Sequence, residues 1–271
     1  MESLLKMKVL DLQGNKVKEI KTPEQFNEPY HPNLIKRAVL AIRENKRQPY
    51  GAYPLAGKRQ AVDISRRRKD YKGSYGKGMS RVARKTMWHR GSQFAWEGAF
   101  VPGTKGGRKA HPPKAEKNRK VKVNVKENRK AIRSALSASL NETLVKLRNH
   151  RFTIFPLIIV PQIEDLKKTS EVLQLLNKFG LKDELARAEN KKIRAGKGKF
   201  RGRKYRIKKG PLFVVSKNCP LVKAVSNIPG VEIVPINRIN AELLAPGTQA
   251  GRLTIYSESA IEKLEKEKLF I

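Results

Sequence analysis

The sequence predicts an α/β fold: a mainly parallel sheet with helices on both faces, carrying a long basic irregular arm and a second, shorter basic excursion. Three observations predict it. Short apolar runs alternate with amphipathic stretches through the C-terminal half, the pattern of βα units feeding a parallel sheet. Phe155 to Val160 is apolar without a break, as a strand covered on both faces requires. The chain has 271 residues, 39% of them hydrophobic, which is enough for one buried core. The expected organisation is a single α/β domain over residues 1–271, with the arm inserted at 46–113 and the excursion at 191–210.

Met7 to Leu12 reads as a strand, Gln13-Gly14-Asn15 as a turn and Lys16 to Ile20 as a second strand. Pro32 opens a helix with Leu34, Ala38 and Ile42 in one stripe, and Pro49 closes it. Beyond the arm, Ile132, Leu136, Leu140, Leu144 and Leu147 fall on one face of a single helix expected from about Asn128 to Asn149. Ser170 is expected to cap the next helix and Gly180 to stop it, with a shorter helix at Leu181 to Glu189. After the excursion come a strand at Leu212 to Val215, a helix at Pro220 to Ile228 and a strand at Val231 to Val234. A short helix near Ile239 to Leu244 and a strand at Leu253 to Tyr256 follow. A last helix runs from Ala260 to about Lys268, where Ser259 and Glu262 have capping-box spacing.

The formal net charge is +36, from 60 Lys and Arg against 24 Asp and Glu. Such a charge is too large for an ordinary soluble enzyme and demands a polyanion. An anionic membrane is set aside, because the basic stretches are glycine-rich rather than amphipathic helices. Phe155 to Val160, the longest apolar run, is also too short to span a bilayer. The N-terminal stretch has no small-residue cleavage site, so no signal peptide is expected. A lone cysteine, Cys219, rules out a disulfide within the chain and fits a reducing compartment. The expected location is the cytoplasm.

Catalysis finds little support. No glycine-rich turn joins a strand to a helix, and Gly198-Lys199 is followed by Phe200 where a Walker loop needs Ser or Thr. His31, His89, His111 and His150 are scattered, with no Cys/His spacing for a metal. Glu164-Asp165 and Asp183-Glu184 read as helix starts, where acid complements the dipole. No catalytic residue, cofactor or metal is expected.

The arm is where composition turns specific. No apolar period runs through residues 46–113, and so long a loop is either functional or disordered. Disordered segments are poor in aromatics; this one interleaves Tyr50, Tyr53, Tyr71, Tyr75, Trp88, Phe94, Trp96 and Phe100 with cations. Arginine for phosphate, glycine for close backbone approach and rings for base stacking are the chemistry of a structured RNA surface. The candidate RNA-binding residues begin at Lys58 and Arg59 and thicken at Arg66, Arg67, Arg68, Lys69, Tyr71, Lys72, Tyr75 and Lys77. They continue through Arg81, Arg84, Lys85, Trp88, His89, Arg90 and Trp96 to Lys105, Arg108, Lys109 and His111.

In the excursion, 11 of the 20 residues from Lys191 to Gly210 are Lys or Arg, with Phe200 and Tyr205 among them. Its candidates are Arg194, Lys197, Lys199, Arg201, Arg203, Lys204 and Arg206. A DNA reader would need a recognition helix, a zinc module or a basic zipper, and none is legible. An arm of about seventy residues, folded back on itself, outreaches the roughly 20 Å radius of such a domain. It is therefore expected to leave the body, and to become ordered on binding RNA.

Motifs in the arm carry a resemblance. They are Gly76-Lys77-Gly78 with Arg81-Val82-Ala83-Arg84, then Trp88-His89-Arg90-Gly91, then Gly103-Thr104-Lys105-Gly106-Gly107-Arg108-Lys109-Ala110-His111-Pro112-Pro113. With the helix that starts Glu127-Asn128-Arg129-Lys130, they resemble the universal "L-four" family of large-subunit ribosomal proteins, in its archaeal and eukaryotic branch. The resemblance covers nearly the whole chain, and the lack of a long C-terminal extension points to the archaeal side. It implies a structural constituent of the large subunit: a primary binder of large-subunit rRNA with a part in assembly. It further implies neighbouring large-subunit proteins as partners, and an arm that lines the polypeptide exit tunnel beside the L-twenty-two protein and meets the nascent polypeptide. Two rival readings stay open. One is an RNA-modifying α/β enzyme of methyltransferase type, which would need a glycine-rich first βα turn. The other is a free RNA chaperone or regulator.

Overall fold

A computed structural model describes residues 6–56, 58, 59, 62, 67–70, 73 and 75–271. The chain forms two compact units, residues 1–46 with 120–271 and residues 47–119. The first unit begins with β1 (Lys6–Leu10), β2 (Lys16–Lys21) and α1 (Pro32–Asn45). The second contains the hairpin of β3 (Arg84–Arg90) and β4 (Gln93–Gly98). The first unit then resumes with α2 (Val125–Ser139), α3 (Glu142–Leu147), β5 (Leu157–Ile159), α4 (Thr169–Lys178) and α5 (Lys182–Glu189). Two-residue strands β6 (Lys192–Ile193) and β7 (Tyr205–Arg206) bracket the tip of the excursion. The chain continues through β8 (Leu212–Val215), α6 (Leu221–Ser226), β9 (Glu232–Pro235) and α7 (Ala241–Leu244) to β10 (Thr254–Ser257) and α8 (Glu258–Lys266).

The sheet of the first unit has the order β2-β1-β5-β10-β8-β9. All strands run parallel except β2, which pairs antiparallel with β1 at one edge. Every residue of β5, β8 and β10 is buried, which is why two of these strands read as unbroken apolar runs. The helices gather in separate groups: α1, α2 and α7 pack on one another, and α4 packs on α6. Tyr256 ties the central strand to the first group. Its ring meets Phe26 edge-on at 5.6 Å, and its hydroxyl lies 2.7 Å from Ser139 Oγ on α2. Burial raises the Tyr256 pKa, so the phenol stays neutral.

Several local expectations need correction. The single helix expected to Asn149 breaks at Leu140-Asn141. Asn141 Oδ1 accepts from Thr143 N at 3.0 Å, and a side-chain acceptor that starts a new helix there ends the old one. Leu147, placed on the buried face, is exposed as a result. Ser170 does not cap α4, which starts at Thr169 after Lys168 with no side-chain cap. Nor does Ser259 cap α8. Strand β10 runs into that helix without a loop, so the cap falls two residues earlier on Ser257, whose Oγ accepts from Ala260 N at 3.2 Å.

The second unit also departs from the reading of an arm without a period. Strands β3 and β4 pair antiparallel from Arg84↔Gly98 to Arg90↔Gln93. The register shifts between Thr86 and Trp88, and that extra residue erases the alternation a sequence scan looks for. The base of the unit is closed by Ala52 N donating to Pro113 O at 2.9 Å. Arg119 lies 3.9 Å over the Tyr50 ring and donates to the Tyr50 carbonyl at 3.2 Å. At Gly107 a Cβ would come within 2.1 Å of Val101 O, so that turn needs glycine.

Candidate nucleic-acid interface

On the hairpin, residue types follow from the pairing. Phe94 and Trp96 lie two apart on β4 and so share a face, with ring centroids 5.1 Å apart and planes within 6°. His89, opposite Phe94 across the ladder, extends that row at 5.7 Å. Lys77 sits over the row, with Nζ 5.3 Å from the Phe94 centroid and 5.0 Å from that of Trp96. Trp96 Nε1 donates to Thr86 Oγ1 at 3.1 Å, which fixes the indole. Trp88 is 56% exposed, and Lys85 pairs with Glu97 at 3.6 Å.

Cations elsewhere in the arm stand on rings in the same way. Arg68 and Arg81 lie 5.2 and 4.6 Å from the Tyr75 centroid. Arg59 lies 4.9 Å from the Tyr53 ring and also contacts its hydroxyl. A guanidinium stacked on a ring keeps its N–H edges free to point outward, where phosphate oxygens can take them. Lys58, Arg67, Lys69, Arg90, Lys105, Lys109 and His111 are exposed, while Arg84 and Arg108 are half-buried. Arg84 reaches back to the Ser80 carbonyl at 3.4 Å. Arg66, Tyr71 and Lys72 lie outside the described residues.

The excursion is a small basic hairpin. Arg194 N donates to Lys204 O at 2.8 Å, and Arg194 Nε donates to Arg203 O at 3.1 Å. A 3-10 turn over Lys197–Arg201 forms its tip. Arg194, Lys197, Lys199, Arg201, Arg203, Lys204 and Arg206 are all exposed. Phe200, at 83% exposure, has Lys199 Nζ 5.2 Å from its ring, and Tyr205 has Lys204 at 5.4 Å. So large an exposed aromatic on a surface this basic offers a stacking face for a base.

The carboxyl ends of the strands, where an α/β enzyme would hold its ligand, are closed by a hydrogen-bond cluster. Glu164 Oε1 accepts from Ser216 N at 2.9 Å and from Ser257 Oγ and Ser259 Oγ at 2.6 Å each. Its Oε2 accepts from Ser216 Oγ at 2.7 Å. Burial opposes ionisation, but these bonds outweigh it and lower the Glu164 pKa. The residue is a strut between three strands rather than a complement to a helix dipole. Glu184 is corrected likewise. It is fully buried and accepts from Arg187 Nη2 at 2.6 Å, His150 Nδ1 at 2.7 Å and Arg151 N at 3.1 Å. Arg187 is three residues from Glu184, but His150 and Arg151 are 34 and 33 residues away, and no local spacing could have revealed them.

Among the described residues no group of three or more His, Cys, Asp or Glu could hold a metal ion. None of their helices is long and apolar enough to cross a membrane.

A profile of the ribosomal protein L4/L1 family matches residues 20–267. The large ribosomal subunit protein uL4 of Nanoarchaeum equitans is 48% identical over 267 residues, covering 98% of this chain and 100% of that protein. Its namesake from Methanococcoides burtonii is 44% identical, covering 95% and 96% of the two chains. The one from Archaeoglobus fulgidus is also 44% identical, covering 96% and 98%.

Proposed function

Because the chain belongs to the ribosomal protein L4/L1 family, in an archaeal-type form, we infer that it is a structural constituent of the large ribosomal subunit that binds rRNA. It works in the ribosome, in the cytoplasm, among other ribosomal proteins. Its relatives are named as ribosomal proteins and not as enzymes, and the rival reading of an RNA-modifying enzyme gives way. The observation that carries the reading is the arm's set of cations held over aromatic rings, within a chain of net charge +36.

Arm and excursion are the two proposed rRNA-binding surfaces. Arg and Lys neutralise phosphates, Trp88, Tyr205 and Phe200 offer base-stacking faces, and glycines let the backbone approach RNA closely. Folding of this surface onto rRNA would give the protein its part in assembly. The middle of the arm, Lys69 to Arg81, is the segment proposed to line the exit tunnel beside the L-twenty-two protein and to meet the nascent polypeptide.

Sedimentation tests the first level. The native protein should travel with large subunits and stay bound through a moderate-salt wash; a protein found only in free fractions overturns the reading. Crosslinking tests the second. In a Cys219→Ser background, a photo-crosslinker on Ser80→Cys should capture stalled nascent chains, and one on exposed Ser226→Cys should not. Capture from position 226 alone would reverse the assignment.

A further inference from the structure

Beside the root of the excursion, the first unit has an open cleft of about 1100 Å³. The excursion contributes Lys192, Arg206, Lys208 and Lys209 to it. Helices and loops that were not singled out as RNA-binding contribute Arg43, Lys146, Arg148, Arg151 and Arg187. No Asp or Glu lines it, and neither does any Phe, Tyr or Trp. Asn149, Asn190 and Gln249 add neutral hydrogen-bonding groups.

The cations here are built in. Arg187 is locked from behind by buried Glu184, and its Nη2 also donates to Lys209 O at 2.8 Å. That bond ties the cleft to the root of the excursion. The root is itself clamped where Gly230 approaches so closely that a Cβ would meet Lys208 O at 2.8 Å and Ala188 Cβ at 2.9 Å. Arg148 donates to the Pro246 carbonyl at 3.1 Å and also to that of Gln249, and among the described residues no carboxylate pairs with it. Burial, with Arg252 and Arg187 nearby, lowers its pKa to about 10, which leaves it charged and repelled at neutral pH. Arg148 follows a helix C-terminus, where a cation is favoured. That accounts for one residue and not for nine.

We propose that this cleft binds the sugar–phosphate backbone of rRNA, with several consecutive phosphates seated among Arg148, Arg151, Lys146 and the excursion's cations. The site rests on the rRNA-binding reading and extends it to residues outside arm and excursion. Its ligand is backbone rather than base, because the lining offers cations and amides, and its one aromatic ring, that of His150, is buried against Glu184 and presents no face to stack on. It is also larger than the roughly 300–1,000 Å³ typical of small-molecule sites, and so fits a run of nucleotides.

The test uses the full-length chain and large-subunit rRNA transcribed from the same genome. Two matched pairs of exposed cations are neutralised: Lys146→Gln with Arg151→Gln in the cleft, and Lys223→Gln with Lys266→Gln away from it. Lys146 and Lys266 each make one i,i+4 pair, so the helical cost is balanced. Thermal melting of both variants checks that they fold. If each cleft cation neutralises a phosphate, the salt slope of log K should fall by about 1.4–1.8 units, which is roughly tenfold in affinity at 0.2 M salt. The control pair should leave the slope within about half a unit. Equal slopes for the two variants overturn the cleft while leaving rRNA binding intact. Failure of the unmodified protein to bind rRNA would instead sink the reading beneath it.

Discussion

The sheet unit and the arm both hold charged side chains in fixed places, but the sheet unit buries them while the arm leaves them exposed, and their partners differ. In the sheet unit Arg252 and Glu184 are buried against opposite charges, and Glu164 against a set of donors. Arg252, with no exposed surface, donates to Glu232 Oε2 at 2.6 Å and to the carbonyls of Gly210 at 2.9 Å and Leu243 at 3.0 Å. In the arm the partner is often an aromatic face, as for Arg68 and Arg81 on Tyr75. A ring orients a cation without cancelling its charge. The first arrangement spends charge on folding; the second keeps it available to a polyanion.

The strongest way to break this comparison is at Arg252. Arg252→Ala strips Glu232 of a buried partner and orphans the carbonyls, and should lower unfolding free energy by about 3–5 kcal/mol. Arg81→Ala should stay within about 0.5 kcal/mol. Urea unfolding measures both, and comparable losses would show that arm cations also hold the fold together.

A smaller, graded effect comes from pH. Burial lowers the His150 pKa despite its bond to Glu184, so the folded state prefers the neutral ring. The unfolded chain takes up that proton near pH 6.5, and stability should start to fall as pH drops below this value. Burial resists ionisation of Glu184, yet bonds from Arg187 and His150 lower its pKa overall. Its contribution is therefore complete above the unfolded value of about 4.3 and is lost as pH falls through the folded value. Denaturation midpoints from pH 8 to 3.5 should decline on acidification. Glu184→Gln should flatten the lower part of that decline, and a curve of unchanged shape would remove Glu184 as its source.

The smallest effect sharpens the contrast. Tyr75→Leu removes the ring beneath two arginines. A cation–π contact at an exposed site is worth about 0.5–1 kcal/mol, so rRNA affinity should drop about two- to fivefold with no change in melting temperature. A lower melting temperature at constant affinity would assign the ring to folding instead.

How far the sequence could be read follows the same division. Strands β5 and β8 were legible because burial on both faces leaves an unbroken apolar run. The basic segments were legible because composition needs no partner to be noticed. Arg252 and Glu232 were not, since their meaning lies in a pair 20 residues apart with no local signature. Glu164 was misread because its three serines sit 52 to 95 residues away. In the arm the cations were found, but which ring each one rests on emerged only from the pairing of β3 with β4 and from the turn around Tyr75.

The shifted register at Thr86 and Trp88 has a consequence for how the hairpin can vary. Thr86 faces Trp96 and Trp88 faces Ala95, so two residues advance on one strand for one on the other. Met87 is the surplus step. It turns Trp88 to the side opposite Phe94 and Trp96, giving the two tryptophans opposite outlooks. Deleting Met87 would remove the surplus step and leave Trp88 opposite Ala95. Deleting Ala95 would instead put Phe94 and Trp96 on opposite sides and break their row, while most single replacements would leave both sides in place. Between Phe94 and Trp96 the hairpin should thus accept changes of letter far more readily than changes of count, whereas at Met87 it should accept both.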